Sequence, residues 1–279
     1  MQMQLTSPLL GTNRREWLLR SGALLAGCGM IGWSMLPVSA EPQVASRVDE
    51  PVPEHPLLPA LKLVEESLRV LDPVVDYQAT LIRQELVGRQ MLSARMELKY
   101  RESPQSVYLK FIEPNAGREV LYRPDRYDGK MLVRDVGLAS LVGTVQLDPK
   151  NKLALEQSRH SITAIGLRKM LTLLQEQWQA QTKFKDVTVN FYPNAKIGNL
   201  ACKVIEVSHA QPQTGVLHQQ TRLYLDPSSS LPVRIQKYAF PARRGGKPEL
   251  VEDYFYQKLR TNPGLTDIDF DTRNPMYKF

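Results

Sequence analysis

The sequence has few cysteines and no uninterrupted apolar run of about 18 residues that would cross a membrane. Two cysteines among 279 residues cannot staple a disulfide-stabilised domain. No glycine-rich loop follows a predicted strand and no Gly-x-Ser-x-Gly elbow occurs, so neither nucleotide binding nor Ser/His/Asp hydrolysis is indicated. Hydrophobic residues make up 42% of the chain, which is enough for the buried core of one large domain or two small ones.

Charge of one sign is not concentrated in the chain. The 36 basic and 29 acidic residues give a formal net charge of +7, and the excess is scattered. Such an excess permits contact with an anionic lipid or polymer, whereas nucleic-acid binding needs clustered Lys and Arg with stacking aromatic residues. We therefore expect no nucleic-acid partner. One basic turn, at Arg243, Arg244 and Lys247, suits an anionic membrane surface.

The first forty residues have the features of an export signal. Arg14 and Arg15 precede Trp17 and a glycine-diluted apolar run, which resembles a twin-arginine signal. Small residues end the segment, and we expect cleavage after Ala40. A competing lipobox would instead make Cys28 the lipid-modified first residue. The prediction is a protein of the periplasm or cell envelope, anchored by lipid only if Cys28 is modified.

The remainder of the chain alternates helical segments with groups of strands. Residues 41–56 are rich in proline and predict a spacer, and residues 57–279 predict a single domain. Apolar residues at helical spacing predict helices over 57–71 and 161–181. Alternation with a period of two predicts five strands before the second helix and five after it. The predicted strands are 75–87, 90–101, 106–112, 118–123 and 130–135, then 186–192, 200–208, 217–225, 233–240 and 250–260.

This order of elements predicts a mainly β fold of the α+β class. Short connections make neighbouring strands antiparallel, and a sheet of about ten strands is too twisted to remain flat. We expect the sheet to curl into an unclosed half-barrel, with two helices lying on its concave apolar face as a lid. The lid either fills the curl with side chains or leaves a cavity beneath it.

Three stretches of the sequence resemble those of known exported proteins. Residues 223–235, which read as a strand, an Asp-Pro turn and a second strand, resemble a unit of the lipoprotein-carrier fold of LolA, LolB and LppX, as do residues 107–111. The C-terminal sequence 267–279 resembles more closely DUF1571, a bacterial exported family of unknown function. This likeness covers roughly residues 57–279. It implies a LolA-like fold and an exported location, but it implies no activity and transfers no site residue.

No group of residues has the pattern of a metal or catalytic site. Asp267, Asp269 and Asp271 have the spacing of calcium ligands, but the glycine and the final glutamate of a calcium loop are missing. Cys202 and His209 face opposite sides of one predicted strand, so we expect a buried thiol and no shared metal ion. We therefore predict no catalytic residue, no metal and no cofactor.

Our working hypothesis is a non-enzymatic protein that binds an acyl chain, a lipid or a lipoprotein in the curl. Burial of each methylene contributes roughly 0.8 kcal/mol, so a long chain is held without catalytic groups. The candidate cavity residues occupy the apolar faces of two predicted strands and of the second helix. They are Leu92, Met96, Leu98, Val107, Leu109, Phe111, Met170, Leu171, Leu174 and Trp178.

Two other functions stay open at this point. One is an envelope scaffold or protein-interaction module, in which side chains fill the curl and an edge strand or the basic turn docks a partner. The other is a hydrolase of unknown substrate. An open apolar cavity beneath the second helix would favour carriage, and a filled one would favour the scaffold.

Overall fold

The computed structural model describes residues 54–243 and 245–279. The predictions for Arg14, Arg15, Trp17, Cys28 and Ala40, together with most of the spacer, lie outside the described residues. The division at residues 40 and 56 therefore stays a prediction. Within the described part of the chain, no helix combines the length and the hydropathy that a membrane span requires.

Two amphipathic helices of 15 residues each cover one face of the sheet. Helix α1 is Leu57–Leu71, with the bounds that the sequence predicts, and helix α2 is Leu167–Gln181. The buried residues of each helix recur at spacings of three and four, which places them on one stripe facing the sheet. Both stripes belong to the same apolar core as the inward-facing residues of the strands.

Helix α2 begins at Leu167 rather than at the predicted Ser161. Gly166 precedes it with φ +148°, a conformation that L side chains rarely adopt. A Cβ atom on Gly166 would lie 2.7 Å from the hydroxyl of Tyr100, so this position also requires a close approach of two chain segments. The residues before it form a short 3-10 turn, Ile162–Ala164, instead of helix.

The strands form one antiparallel sheet whose order is β6-β5-β4-β3-β2-β1-β11-β10-β9-β8-β7. The two edge strands are not paired with each other, so the sheet is unclosed, as the sequence predicts. The bounds are Asp76–Val87 (β1), Gln90–Arg101 (β2), Ser106–Glu113 (β3), Glu119–Tyr122 (β4), Met131–Arg134 (β5), Thr144–Leu147 (β6), Val187–Ile197 (β7), Leu200–His209 (β8), Gln220–Leu225 (β9), Pro232–Ala239 (β10) and Glu249–Thr261 (β11).

The structure has one strand more than the ten that the sequence predicts. Strand β6 is only four residues long, and none of its residues is buried, so it lacks the alternation that identifies a half-buried strand. Strand β9 also starts at Gln220 rather than at residue 217. Strand β7 continues past the predicted residue 192, through an irregularity in its pairing with β8 between Tyr192 and Ala195.

Alternation along each strand decides which side chains face the helices. On β2, Met96, Leu98 and Tyr100 are buried in the core, while Glu97 between them is exposed. The same alternation holds on β3, where Val107 and Leu109 enter this core. The sheet therefore offers one apolar face to both helices, which confirms the predicted fold class.

The C-terminal residues cover part of the opposite face of the sheet. Phe270 is fully buried in a second, smaller cluster with Tyr108, Leu121 and Leu132. The ring of Tyr277 stacks on that of Tyr108 with 3.9 Å between centroids. The terminal motif is thus part of the packed domain.

The three aspartates of this motif form ion pairs with basic side chains. These ion pairs account for the three carboxylates without a bound metal ion, because each carboxylate already has a basic partner. The nearest basic nitrogens lie 2.7 Å from Asp267 (Arg101), 2.6 Å from Asp269 (Lys99) and 2.8 Å from Asp271 (Arg273).

Candidate functional site

A cavity of about 330 Å³ lies between the sheet and helix α2. Ligand pockets in proteins measure roughly 300–1,000 Å³, so this one has room for a small ligand or part of a chain. Helix α2 contributes Met170, Leu173 and Leu174 to its wall. The sheet contributes apolar or aromatic residues of eight strands, including Leu81, Met96, Leu109, Val120, Met131, Leu147, Ile235 and Tyr256.

The ten predicted cavity residues divide into two groups. Met96, Leu109, Phe111, Met170 and Leu174 line the cavity. The other five do not line it: Leu98, Val107, Leu171 and Trp178 are buried in the core elsewhere, and Leu92 is half-buried on β2.

This division arises because residue spacing carries only part of the information needed to locate a cavity. Periodicity identifies the face of a strand or helix on which a residue lies, but it does not say how far along that face the helices leave a gap. Leu98 and Val107 are on the correct face, but they lie further along it, among residues where the helices pack against the sheet without leaving space.

Two buried carboxylates at one end of the cavity have no counterpart in the sequence-based prediction. Glu85 on β1 and Glu252 on β11 lie directly opposite each other in the strand register, and they are 1% and 2% exposed. Like charges in this position destabilise a sheet unless cations compensate them. Lys237, opposite Glu252 on β10, places its Nζ 2.9 Å from Glu252 Oε2, an ion pair without hydrogen-bond alignment.

The groups around Glu252 act on its pKa in opposite directions. Burial by itself acts to raise the pKa of this carboxyl group. The hydrogen bond with His160 and the charge of Lys237 outweigh burial and hold the pKa of Glu252 well below its usual range. Glu252 is therefore ionised at neutral pH although it is almost fully buried.

Residues 156–160, which we term the strap, contact both sides of the cavity. On one side, the backbone N–H of Arg159 donates to Glu85 Oε2 at 3.1 Å, and its Nε donates to Glu252 Oε1 at 3.2 Å. His160 Nε2 lies 3.0 Å from the same Glu252 oxygen. On the other side, Gln157 Oε1 accepts from Arg118 Nη1 at 2.8 Å, next to β4. The strap is thus attached to both halves of the sheet through polar groups.

The Arg118 side of the cavity carries a second ion pair. Arg118 Nε and Nη2 donate to the two oxygens of Asp135 at 2.9 and 2.7 Å, a bidentate pair. This contact with Arg118 holds the pKa of Asp135 below its usual range. The guanidinium also lies 5.6 Å from the ring centre of Phe111. The cavity therefore has an apolar body and a charged end, the arrangement that accepts an amphiphile.

The histidines and the cysteine outside the cavity do not form a reactive centre. His209 Nε2 lies 3.0 Å from Gln181 Oε1, and burial lowers the pKa of His209. Burial and the charge of Lys237 lower the pKa of His218 to about 4. Cys202 is buried on β8, outside the main core, and burial raises the pKa of its thiol, which opposes nucleophilic reactivity. Among residues 54–243 and 245–279, no three His, Cys, Asp or Glu side chains are grouped so as to hold a metal ion.

The basic turn predicted for membrane contact connects β10 and β11. Arg243 and Lys247 are exposed there, whereas Arg244 lies outside the described residues.

The family model for a protein of unknown function, DUF1571, matches residues 74–279. The chain belongs to the DUF1571 family. This confirms the resemblance of the C-terminal motif. A search of curated proteins finds no match.

Several solved structures are similar to this DUF1571 chain. Lipoprotein LppX from Mycobacterium tuberculosis is 13% identical, with 76% of this chain and 99% of that chain covered and a TM-score of 0.45. A LolA superfamily protein from Nitrosomonas europaea is 14% identical, with 76% and 97% covered and a TM-score of 0.31. A DUF1329 family protein from Desulfovibrio piger is 15% identical, with 77% and 97% covered and a TM-score of 0.37. At TM-scores below 0.5, these similarities carry no inference about function.

Proposed function

We propose that this protein is an exported, non-enzymatic carrier that binds the acyl chain of a lipid or lipoprotein in the cavity beneath α2. The observation that carries the proposal is the open cavity of about 330 Å³ with an apolar body and a charged end. An open cavity favours carriage over the scaffold function, which requires a filled core. Export through residues 1–40 to the periplasm or cell envelope is part of the same proposal.

The mechanism of retention is burial of the chain. Each methylene moved from water to the apolar body contributes roughly 0.8 kcal/mol, so a chain of several methylenes is held without a catalytic group. Met170 on α2 and Met96 on β2 both line this space, and their flexible thioethers adapt to chains of different shape. The polar head of the ligand would remain near the ion pairs of Glu85 and Glu252.

Native mass spectrometry tests whether such a ligand is present. Protein purified from its own host should carry additional mass, and extraction should yield a lipid. Repeated lipid-free preparations that also take up no fatty acid would contradict the proposal.

A blocking substitution locates the binding site. Met170→Trp adds a large ring to the cavity wall and should weaken the binding of a fluorescent fatty acid at least tenfold. The matched control is Met276→Trp, because Met276 is highly exposed in the C-terminal segment and does not line the cavity. Equal loss of binding in both variants, or in neither, would place the fatty acid outside this cavity.

Export and processing need separate experiments. Replacement of both Arg14 and Arg15 by lysine should block export if the signal uses the twin-arginine route. Palmitate labelling that is lost in Cys28→Ser and retained in Ala40→Leu would show lipidation at Cys28 and contradict cleavage after Ala40.

A further inference from the structure

The connection between β5 and β6 exposes three large apolar side chains within six residues. Leu138, Leu141 and Val142 are 87%, 84% and 76% exposed. Single exposed apolar residues are common on protein surfaces, but a contiguous apolar patch indicates a surface for interaction.

Hydrogen bonds fix the shape of this connection. The Gly143 N–H donates to Ser140 O at 3.1 Å, and Ser140 Oγ donates to Gly137 O at 2.6 Å. Arg134 Nη1 donates to Ser140 O at 3.1 Å and attaches the turn to β5. The two flanking glycines have φ values of +65° and +82°, which favour glycine at both ends of the turn. The apolar side chains are thus presented by a hydrogen-bonded turn.

Exposed cations occupy other turns at the same end of the sheet. The strand register places loops 88–89, 114–118, 135–143 and 240–248 at the same end of the sheet, which we term the hairpin end. Arg89, Arg243 and Lys247 are exposed in these loops. Of the nearby acidic groups, Glu113 is paired with Arg95 at 3.1 Å and Glu249 is exposed. The exposed charge at the hairpin end is therefore mainly positive.

The charged end of the cavity lies toward this same end. Arg83 and Glu85 are near the last residue of β1, and Lys237 and Glu252 flank the turn between β10 and β11. Apolar lining residues such as Leu81 lie further from the turns. A surface that meets the hairpin end would thus be next to the polar end of the cavity.

We propose that the hairpin end docks on an anionic lipid bilayer, with Leu138, Leu141 and Val142 inserted among the lipid chains and Arg243 and Lys247 against the headgroups. This combination suits such a bilayer, because the lipid tails accept apolar side chains and the anionic headgroups attract cations. The docking does not depend on what the cavity holds.

Vesicle flotation tests this surface. The full chain should bind vesicles of phosphatidylglycerol and phosphatidylethanolamine, and should bind phosphatidylcholine vesicles much less. Replacement of Leu138, Leu141 and Val142 together by serine should lower the bound fraction at least tenfold, whereas Met276→Ser at a similarly exposed residue should not change it.

Charge reversal tests the basic part of the surface. Arg243→Glu with Lys247→Glu should weaken binding to the anionic vesicles several-fold and reduce its salt dependence. The matched control is Lys150→Glu with Lys152→Glu, because both lysines are exposed beyond the other end of β6. Equal loss in the two double variants would show only a general charge effect and would overturn the assigned surface.

Two further outcomes separate this proposal from its rivals. Wild-type protein that fails to bind anionic vesicles while still binding fatty acid would overturn the docking and leave the carrier function intact. Dimerisation in sedimentation experiments that the triple serine variant abolishes, without vesicle binding, would assign the patch to a second copy of the chain. Conversely, Met170→Trp should bind vesicles like the wild type, because the cavity takes no part in docking.

Discussion

Replacement of Glu252 by glutamine tests whether the cations around this carboxylate outweigh its repulsion from Glu85. The two carboxylates are opposite each other on neighbouring strands, so neutralising one of them removes a repulsion. It also removes the negative charge that faces Lys237 and the two strap residues Arg159 and His160. The lowered pKa of Glu252 indicates that the second effect is larger.

The expected magnitude follows from the exposure of each partner. Lys237 is 11% exposed, and loss of one partner of a buried ion pair costs about 3–5 kcal/mol. Arg159 and His160 are 35% and 44% exposed, so solvent screens their share and they add little. Relief of the repulsion from Glu85 offsets part of the loss, so we expect Glu252→Gln to lower the free energy of unfolding by about 2–4 kcal/mol.

Urea unfolding at neutral pH measures this change, and hydrogen exchange reports on the strap. In Glu252→Gln, the backbone amide of Arg159 should exchange faster, because a neutral amide oxygen holds the Arg159 guanidinium less strongly than a carboxylate does. Glu156→Gln is the matched control: Glu156 belongs to the same strap but its side chain is exposed, and its change should stay within about 0.5 kcal/mol. If Glu252→Gln is as stable as the wild type or more so, the repulsion from Glu85 dominates and this reasoning is wrong.

Three further predictions concern stability. Trp178→Ala should lower the free energy of unfolding in urea by about 3–5 kcal/mol, because this side chain is almost fully buried in the core. Gly166→Ala should cost about 1–3 kcal/mol in the same assay, since its φ is unfavourable and its Cβ would meet Tyr100, whereas Gly88→Ala has no such contact. The folded state disfavours protonation of His218, so stability should fall as the pH drops from 6.5 towards 4; urea midpoints across this window should show a shallower fall in His218→Gln.

The local pattern of the sequence predicted most of the fold because strands and helices here bury one face each. Strand β2 has its predicted bounds because its apolar and polar residues alternate without interruption. The start of α2 could not be predicted in this way, because it depends on the approach of Tyr100 to Gly166, a contact between distant parts of the chain. Strand β6 was missed because hydrogen bonds to β5, and not burial, define it.

The candidate site was predicted only in its apolar part. Met96 and Met170 could be assigned because they lie on apolar faces, but Glu85 and Glu252 have the appearance of ordinary solvent-exposed residues in the sequence. Their proximity arises because β1 and β11, the first and last strands in the sequence, pair with each other in the middle of the sheet. Charged residues on the inward face of a strand whose earlier inward residues are apolar were the one available signal. Arg83 and Glu85, on the same face as Leu81, provide it.

The strand order also constrains how the chain reaches this structure. Within β1 to β6, and within β7 to β11, every strand pairing joins neighbours in sequence, so each half can form from local hairpins. The pairing of β1 with β11 is the long-range strand pairing that joins the two halves. It closes a loop that contains all the other strands, and the formation of such long-range contacts is slow. Strand β1 of the first half therefore has no partner on that side until β11 is synthesised, and folding should end with the joining of two preformed meanders at the middle of the sheet.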